Sequence, residues 1–240
     1  MNFYDNSFLK DHSQKILDFY DYNVIDENGG YNQNFYDDGT TFDNGFKQLV
    51  SSTRIIVNYA TAAIVFSKPE YLIIAQHGLD FLEDVHWQSE SERYAWTIQD
   101  NIPLDMTQQA YGYAFVLLAY AASRKAGILK SDDKLLGIYQ LLEKRFWQAD
   151  YCLYADTLSP DGILSAYRGQ NANMHICEAM ISAYEATNNI IFLERAKTVA
   201  ENICQKQASL TNGLVWEHYT KQFKPDWLYN KDDPKNLYRP

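Results

Sequence analysis

The sequence predicts an all-α fold: a toroid of helical hairpins, here an incomplete arc of about seven helices. Three observations predict it. Apolar residues recur at helical spacing almost throughout. Tyrosines beside alanine (Tyr59, Tyr120 and Tyr184) end the apolar rhythm of three long helices, at intervals of about sixty residues. Long loops, 27–39, 84–103 and 150–170, return at one place in each interval.

Taken in order, Asn6-Ser7 can cap a first helix that runs to Tyr22, and the Gly- and Asn-rich stretch 27–39 reads as a loop or short hairpin. A second helix is expected over Asn44–Phe66, and Pro69 restarts a third that runs to Leu82. The aromatic-bearing loop 84–103 leads to a fourth helix over 105–126, ended by Gly127, and a fifth over 131–147. After the third long loop come helices over 171–187 and 190–207. Leu214–Tyr219 reads as extended, and the tail to Pro240 is polar and irregular.

The first helix of each pair is apolar nearly all round, as an inner helix of a closed toroid must be. Each second helix has a single apolar stripe: Leu72, Ala75, Leu79 and Leu82; Leu135, Ile138, Leu141 and Leu142; Leu193, Ala196, Val199 and Ile203. An open solenoid is the other arrangement of such hairpins, but its repeats are normally shorter. A six-hairpin ring would need roughly 360 to 400 residues at this period. The 240 residues therefore read as one domain that is either a piece of a longer fold or a smaller open arc. Loops gathered at one end of a rigid scaffold are where sites are usually built.

The net charge of −10 argues against nucleic acid and anionic membranes as partners. Cys152, Cys177 and Cys204 form no CxxC pair, which fits a reduced, cytoplasmic protein. No basic and apolar leader opens the chain, and Ile55–Phe66, the longest apolar run, is too short to cross a bilayer.

The strongest chemical signal is the run Tyr167-Arg-Gly-Gln-Asn171-Ala-Asn173-Met-His175-Ile-Cys-Glu178, at a loop-to-helix junction. Asn171 is a good N-cap. His175 shares a helix face with both Asn171 and Glu178. An amide, an imidazole and a carboxylate at one helix mouth suit binding and proton exchange with a polyhydroxy substrate; a buried histidine behind a capping asparagine is the plainer reading. Arg54, in an apolar inner helix, needs a partner or a ligand. It is either a clamp for oxygen atoms or half of an internal ion pair. Tyr111 precedes Tyr120 by the same interval that separates His175 from Tyr184, so the two positions are equivalent and can face one cavity. Ordinary core packing is the alternative for Tyr111. Glu217 and His218 are neighbours on an extended stretch and face opposite ways. His77-Gly78 reads as structural, and His12 and His86 show no pattern.

There is no nucleotide loop, no HExxH and no G-x-S-x-G elbow. No metal site is expected, since His175, Cys177 and Glu178 lack a distant ligand set. A glycoside hydrolase is the serious rival, with Asp161, Glu178 or Glu217 as its carboxylates.

The run 167–179 resembles the signature of the N-acylglucosamine 2-epimerase family. Ser52-Thr-Arg54 and Glu217-His-Tyr…Tyr229-Asn-Lys-Asp-Asp-Pro resemble its bacterial aldose–ketose isomerase subgroup. The resemblance spans nearly the whole chain. It implies an (α/α)6 barrel and a cofactor-free isomerase or 2-epimerase acting on a monosaccharide through a cis-enediol. It also implies that Arg54, Tyr111 and Asn171 contact substrate and that His175 is a site imidazole helping to bind and open the ring. In the family the proton-shuttling histidines lie further along, one in a Pro-Gly-His motif and one near the C-terminus. Neither is in this sequence, so the resemblance implies an isomerase chain lacking its acid–base pair, with little or no turnover on its own; an inactive sugar-binding piece is an alternative.

Overall fold

The computed structural model describes residues 3–42 and 45–232. Its helices are α1 (Asn6–Tyr20), α2 (Leu49–Phe66), α3 (Glu70–Phe81), α4 (Ala110–Lys125), α5 (Asp133–Phe146), α6 (Gln170–Thr187) and α7 (Ile190–Glu201). α2, α4 and α6 form an inner row with α4 in the middle, packed by α2 on one side and α6 on the other. α3, α5 and α7 lie outside, each against the inner helix that precedes it. The chain thus forms an arc of an (α/α)6 barrel, as the repeat predicts.

Small residues let the inner helices approach closely. Ala110, Ala114, Ala119 and Ala121 on α4 and Ala172, Ala179 and Ala183 on α6 are all buried. The outer helices bury a single stripe: Ala75 and Leu79 on α3, Leu135, Ile138 and Leu142 on α5, and Ala196 and Val199 on α7. On α7 the large buried residue is Phe192, not the expected Leu193, which is half-buried.

Boundaries moved where backbone pairing overrides the apolar rhythm. The cap of α1 is Asp5, whose carboxylate accepts from the Ser7 N–H at 2.9 Å and the Ser7 hydroxyl at 2.7 Å, in place of Asn6-Ser7. α2 begins at Leu49 because Phe46–Gln48 is a strand; Asn44, like the segment 233–240, lies outside the described residues. α4 begins at Ala110 because Ile102–Asp105 and Gln108–Gln109 are extended. α3 and α7 each run on into a π-helical turn, Leu82–His86 and Asn202–Gln207.

The long loops are not irregular. Each inner helix is preceded by a short strand that pairs with a strand in the next interval's loop. Phe46–Gln48 pairs with Thr97–Gln99, Gln108–Gln109 with Thr157–Leu158, and Arg168–Gly169 with His218–Tyr219. The first N–H of each inner helix then donates onward: Leu49 to Trp96 O at 3.0 Å, Ala110 to Asp156 O at 2.8 Å, Gln170 to Glu217 O at 3.0 Å. Such groups have no partner within the helix, so the interlocking loops both satisfy them and set all three helix mouths at one end.

α2 alone among the described helices has the length and apolar composition to cross a bilayer, a match that the shorter run Ile55–Phe66 did not predict. It packs on α3 and α4 and carries exposed Arg54 and Asn58 on its free side, as an inner helix. Cys152, Cys177 and Cys204 are free thiols.

His77-Gly78 is structural, as expected. The imidazole Nε2 bonds Gly30 O at 2.7 Å, and the flanking Gly78 leaves room for Tyr31, whose hydroxyl donates to Ile74 O at 2.7 Å. A Cβ on Gly78 would stand 2.1 Å from that hydroxyl, which is fully buried and cannot swing away. Gly78→Ala is expected to destabilise the protein by about 1–3 kcal/mol through overpacking, read as a lower melting temperature. Tyr31→Phe in the same background is expected to recover part of the loss.

Candidate active site

Sequence reasoning selected Arg54, Tyr111 and His175 from three separate helices, and the structure brings them into one chain of contacts. Arg54 Nη2 donates to the Tyr111 hydroxyl at 2.9 Å, and the guanidinium carbon lies 4.5 Å from the centre of the Phe115 ring. The His175 ring stands edge-on to Tyr111 at 5.1 Å and 4.9 Å from Phe115. Among the described residues Arg54 therefore forms no ion pair. It is held by a phenol and an aromatic face, with its remaining donors free to meet a ligand.

His175 Nδ1 is 2.8 Å from Glu178 Oε2. Facing a carboxylate, Nδ1 is the donor, and Nε2 makes no hydrogen bond among the described residues. The expected amide–imidazole–carboxylate cluster is thus present as an imidazole–carboxylate pair. Asn171 is exposed in the first turn of α6, one turn before His175. It is not the N-cap: that position is Gly169, and no side chain caps the helix.

What seats this helix mouth is Asn173, which sequence reasoning passed over. Its amide is fully buried and bridges one residue twice: Oδ1 accepts from the Tyr154 N–H at 2.8 Å, and Nδ2 donates to Tyr154 O at 2.9 Å. A second tie joins the Gly169 N–H to Asp156 Oδ2 at 2.8 Å. Burial pushes the Asp156 carboxyl up to about 7, against the pull of the Gly169 N–H and the Arg168 charge. Burial likewise raises Glu217, whose carboxylate meets the Asn171 N–H at the start of α6. Its neighbour His218 faces the other way, with Nδ1 2.9 Å from the Tyr167 hydroxyl.

His86, which showed no pattern, is a buried structural imidazole. It bonds Ala95 O through Nδ1 at 3.0 Å and the Ser52 hydroxyl through Nε2 at 3.1 Å. Burial drives it down to about 4, so it stays neutral.

A cavity of about 1050 Å³ lies between α1, the segment 24–37 and α2. Arg54 is on its wall; Tyr111 and His175 are not. Asn58 and Thr61 of α2 line this cavity with Arg54, while Tyr111 and His175 come from α4 and α6. Of the rival carboxylates, Asp161 is exposed in the turn 159–163, Glu178 is bound to His175, and Glu217 is at the α6 mouth. Among the described residues no three His, Cys, Asp or Glu side chains group as a metal site.

In this arc of (α/α) hairpins, an arginine, a tyrosine and a histidine thus meet across the three inner helices. The chain belongs to the N-acylglucosamine 2-epimerase (GlcNAc 2-epimerase) family, whose profile matches residues 29–240. It is 47% identical over 240 residues to a D-mannose isomerase of Marinomonas mediterranea, covering 99% of this chain and 61% of that protein. A solved D-mannose isomerase superposes with a TM-score of 0.95 at 45% identity, over 100% of this chain and 62% of the other. A cellobiose 2-epimerase from Bacillus thermoamylovorans has a TM-score of 0.81 at 18% identity, over 92% and 62%, and shares the fold. The chain thus spans about three fifths of the relatives it matches.

Asp156 gives a pH signature with a definite sign. Its folded value lies above the ordinary 3.8, so between about pH 4 and 7 the native state binds the extra proton. The native state therefore loses stability as pH rises through that window. Asp156→Asn removes the cost: its melting temperature is expected to exceed the parent's by about 4–8 °C near pH 8, for a gain of about 2 kcal/mol. The gap should close towards pH 4.

Proposed function

We propose that the chain is the sugar-binding part of a cofactor-free isomerase that interconverts an aldose and a ketose of the mannose and fructose type. One observation carries this reading: Arg54, Tyr111, Phe115 and His175 make one continuous surface across α2, α4 and α6. A guanidinium and a phenol supply donors for hydroxyl and carbonyl oxygens, and an imidazole with a free Nε2 supplies an acceptor. Asn171, exposed at the same helix mouth, adds an amide that can both donate and accept. The identity to D-mannose isomerases supports the choice of sugar.

In the proposed reaction a base takes the proton from C2 of the open-chain sugar. The C–H electron pair becomes the C1=C2 bond, and the carbonyl oxygen on C1 takes up a proton. The cis-enediol then receives a proton at C1 while the O2 hydroxyl loses its own, giving the ketose. Return of the proton to the other face of C2 would be 2-epimerisation, the second reading. Arg54 and Tyr111 hold developing negative charge on oxygen, and His175 guides ring opening. We assign the C2 proton transfer to the histidine pair that the family resemblance places outside this sequence.

Purified chain 1–240 is expected to bind D-mannose, seen as a rise in melting temperature with sugar concentration, without converting it to fructose. Arg54→Gln should abolish the shift, a loss of at least about tenfold in affinity, since charged hydrogen bonds contribute about 1.5–3 kcal/mol. Robust mannose–fructose conversion that His175→Gln abolishes would place the acid–base group within this chain and overturn the assignment. No sugar-dependent shift at all would overturn the sugar-site reading.

A further inference from the structure

Beside Asn171, on the strand pair that leads into α6, lies a second set of polar groups. Gly169 and His218 are directly paired in the antiparallel ladder Arg168–Gly169 with His218–Tyr219. Side chains alternate across a strand, so His218, Gly169 and Tyr167 share one face, while Arg168 and Tyr219 share the buried face behind. On the first face the Tyr167 hydroxyl meets His218 Nδ1 at 2.9 Å, and the His218 ring stacks on Tyr229 at 4.0 Å. Tyr229 also lies 4.9 Å from Tyr167, which closes the trio. All three rings are half-exposed, and neither His218 Nε2 nor the Tyr229 hydroxyl has a hydrogen-bond partner among the described residues.

Asp156 stands behind this trio. It is 9% exposed, and its Oδ2 is used by the Gly169 N–H, but its Oδ1 makes no hydrogen bond among the described residues. Oδ1 and the Tyr167 hydroxyl lie over the same side of Gly169: a Cβ there would be 2.8 Å from one and 2.9 Å from the other. Only glycine leaves that spot open. Oδ1 is not among the oxygens sealed from solvent, so a hydroxyl arriving from outside can meet it.

We propose that Asp156, Tyr167 and His218 form a subsite that reads a hydroxyl of an uncharged sugar, on the side of the substrate away from His175. This rests on the sugar-binding reading above. A hydroxyl both donates and accepts, and this trio offers both capacities: phenol, imidazole nitrogen and a carboxyl that burial keeps near neutrality. The rings add a flat apolar wall for the C–H face of a pyranose. Glu217, at the Asn171 N–H, and Glu178, on His175, add negative charge that leaves the site unsuited to a phosphate or sulfonate.

The test is a cycle between protein and ligand on the full 240-residue chain. Dissociation constants are measured by calorimetry for D-mannose and its 2-, 3-, 4- and 6-deoxy analogues, with the parent, Tyr167→Phe and His218→Phe. The parent is expected to bind one analogue about tenfold more weakly than mannose, the effect of one buried hydroxyl losing its partners. In Tyr167→Phe and His218→Phe that penalty should vanish, with mannose itself bound about tenfold more weakly and the penalties for the other analogues unchanged. Tyr167→Phe keeps the ring stack, and circular dichroism melts establish that each variant is folded. Equal penalties in parent and variants for every analogue would overturn the subsite while leaving the Arg54 and His175 site standing. Failure of the parent to bind any sugar would overturn both.

Discussion

The close approach of α4 to α6 is the constraint on which the site depends. Alanines at 110, 114 and 121 on α4 and at 172, 179 and 183 on α6 are buried where the two helices pack together. At that separation Tyr111 and Phe115 reach the ring of His175 directly, and the guanidinium of Arg54 closes on both from α2. A methyl-sized increase on this seam would strain the packing and pull the aromatic contacts apart together, since protein interiors have little free volume to absorb it. The chemistry at the mouth and the core beneath it are therefore one packing problem.

Orientation comes from the loops as much as from the helices. Each helix mouth is tied by a strand pair to the loop of the following interval, and at α6 the ties multiply through Asn173, Asp156 and Glu217. All three are polar groups in buried or half-buried places, where a satisfied hydrogen bond fixes geometry and an unsatisfied one is expensive. Asp156 fits this pattern only in part, since one of its oxygens is tied to Gly169 and the other stays open to solvent.

Helix count and inner and outer roles were legible in the sequence, and Arg54, Tyr111 and His175, singled out there, meet in the structure. The reason is that apolar periodicity and the interval near sixty are written in residue types. Arg54, Tyr111 and His175 declared themselves by being polar at inner-helix positions. The strand pairs were not legible, because two- and three-residue strands leave no periodicity to read. One signal was available and missed. Trp87-Gln88 with Tyr94-Ala95, and Trp147-Gln148 with Tyr154-Ala155, repeat at identical spacing, and each forms the same hairpin with its Trp and Tyr rings 4.8 and 4.9 Å apart. The role of Asn171 as a cap failed because the backbone of Glu217 already serves the first N–H of the helix. Asn173 and Asp156 gave no sign, since their partners are backbone groups whose location depends on the fold.

The bond from Arg54 to Tyr111 has an electronic consequence. The phenol oxygen accepts from a cation, so charge is drawn out of its O–H, and that proton becomes a better donor than an isolated tyrosine offers. An oxygen arriving on the inner face beside His175 thus meets the positive end of a polarised two-bond relay. The guanidinium can act on that oxygen at one remove, without touching it.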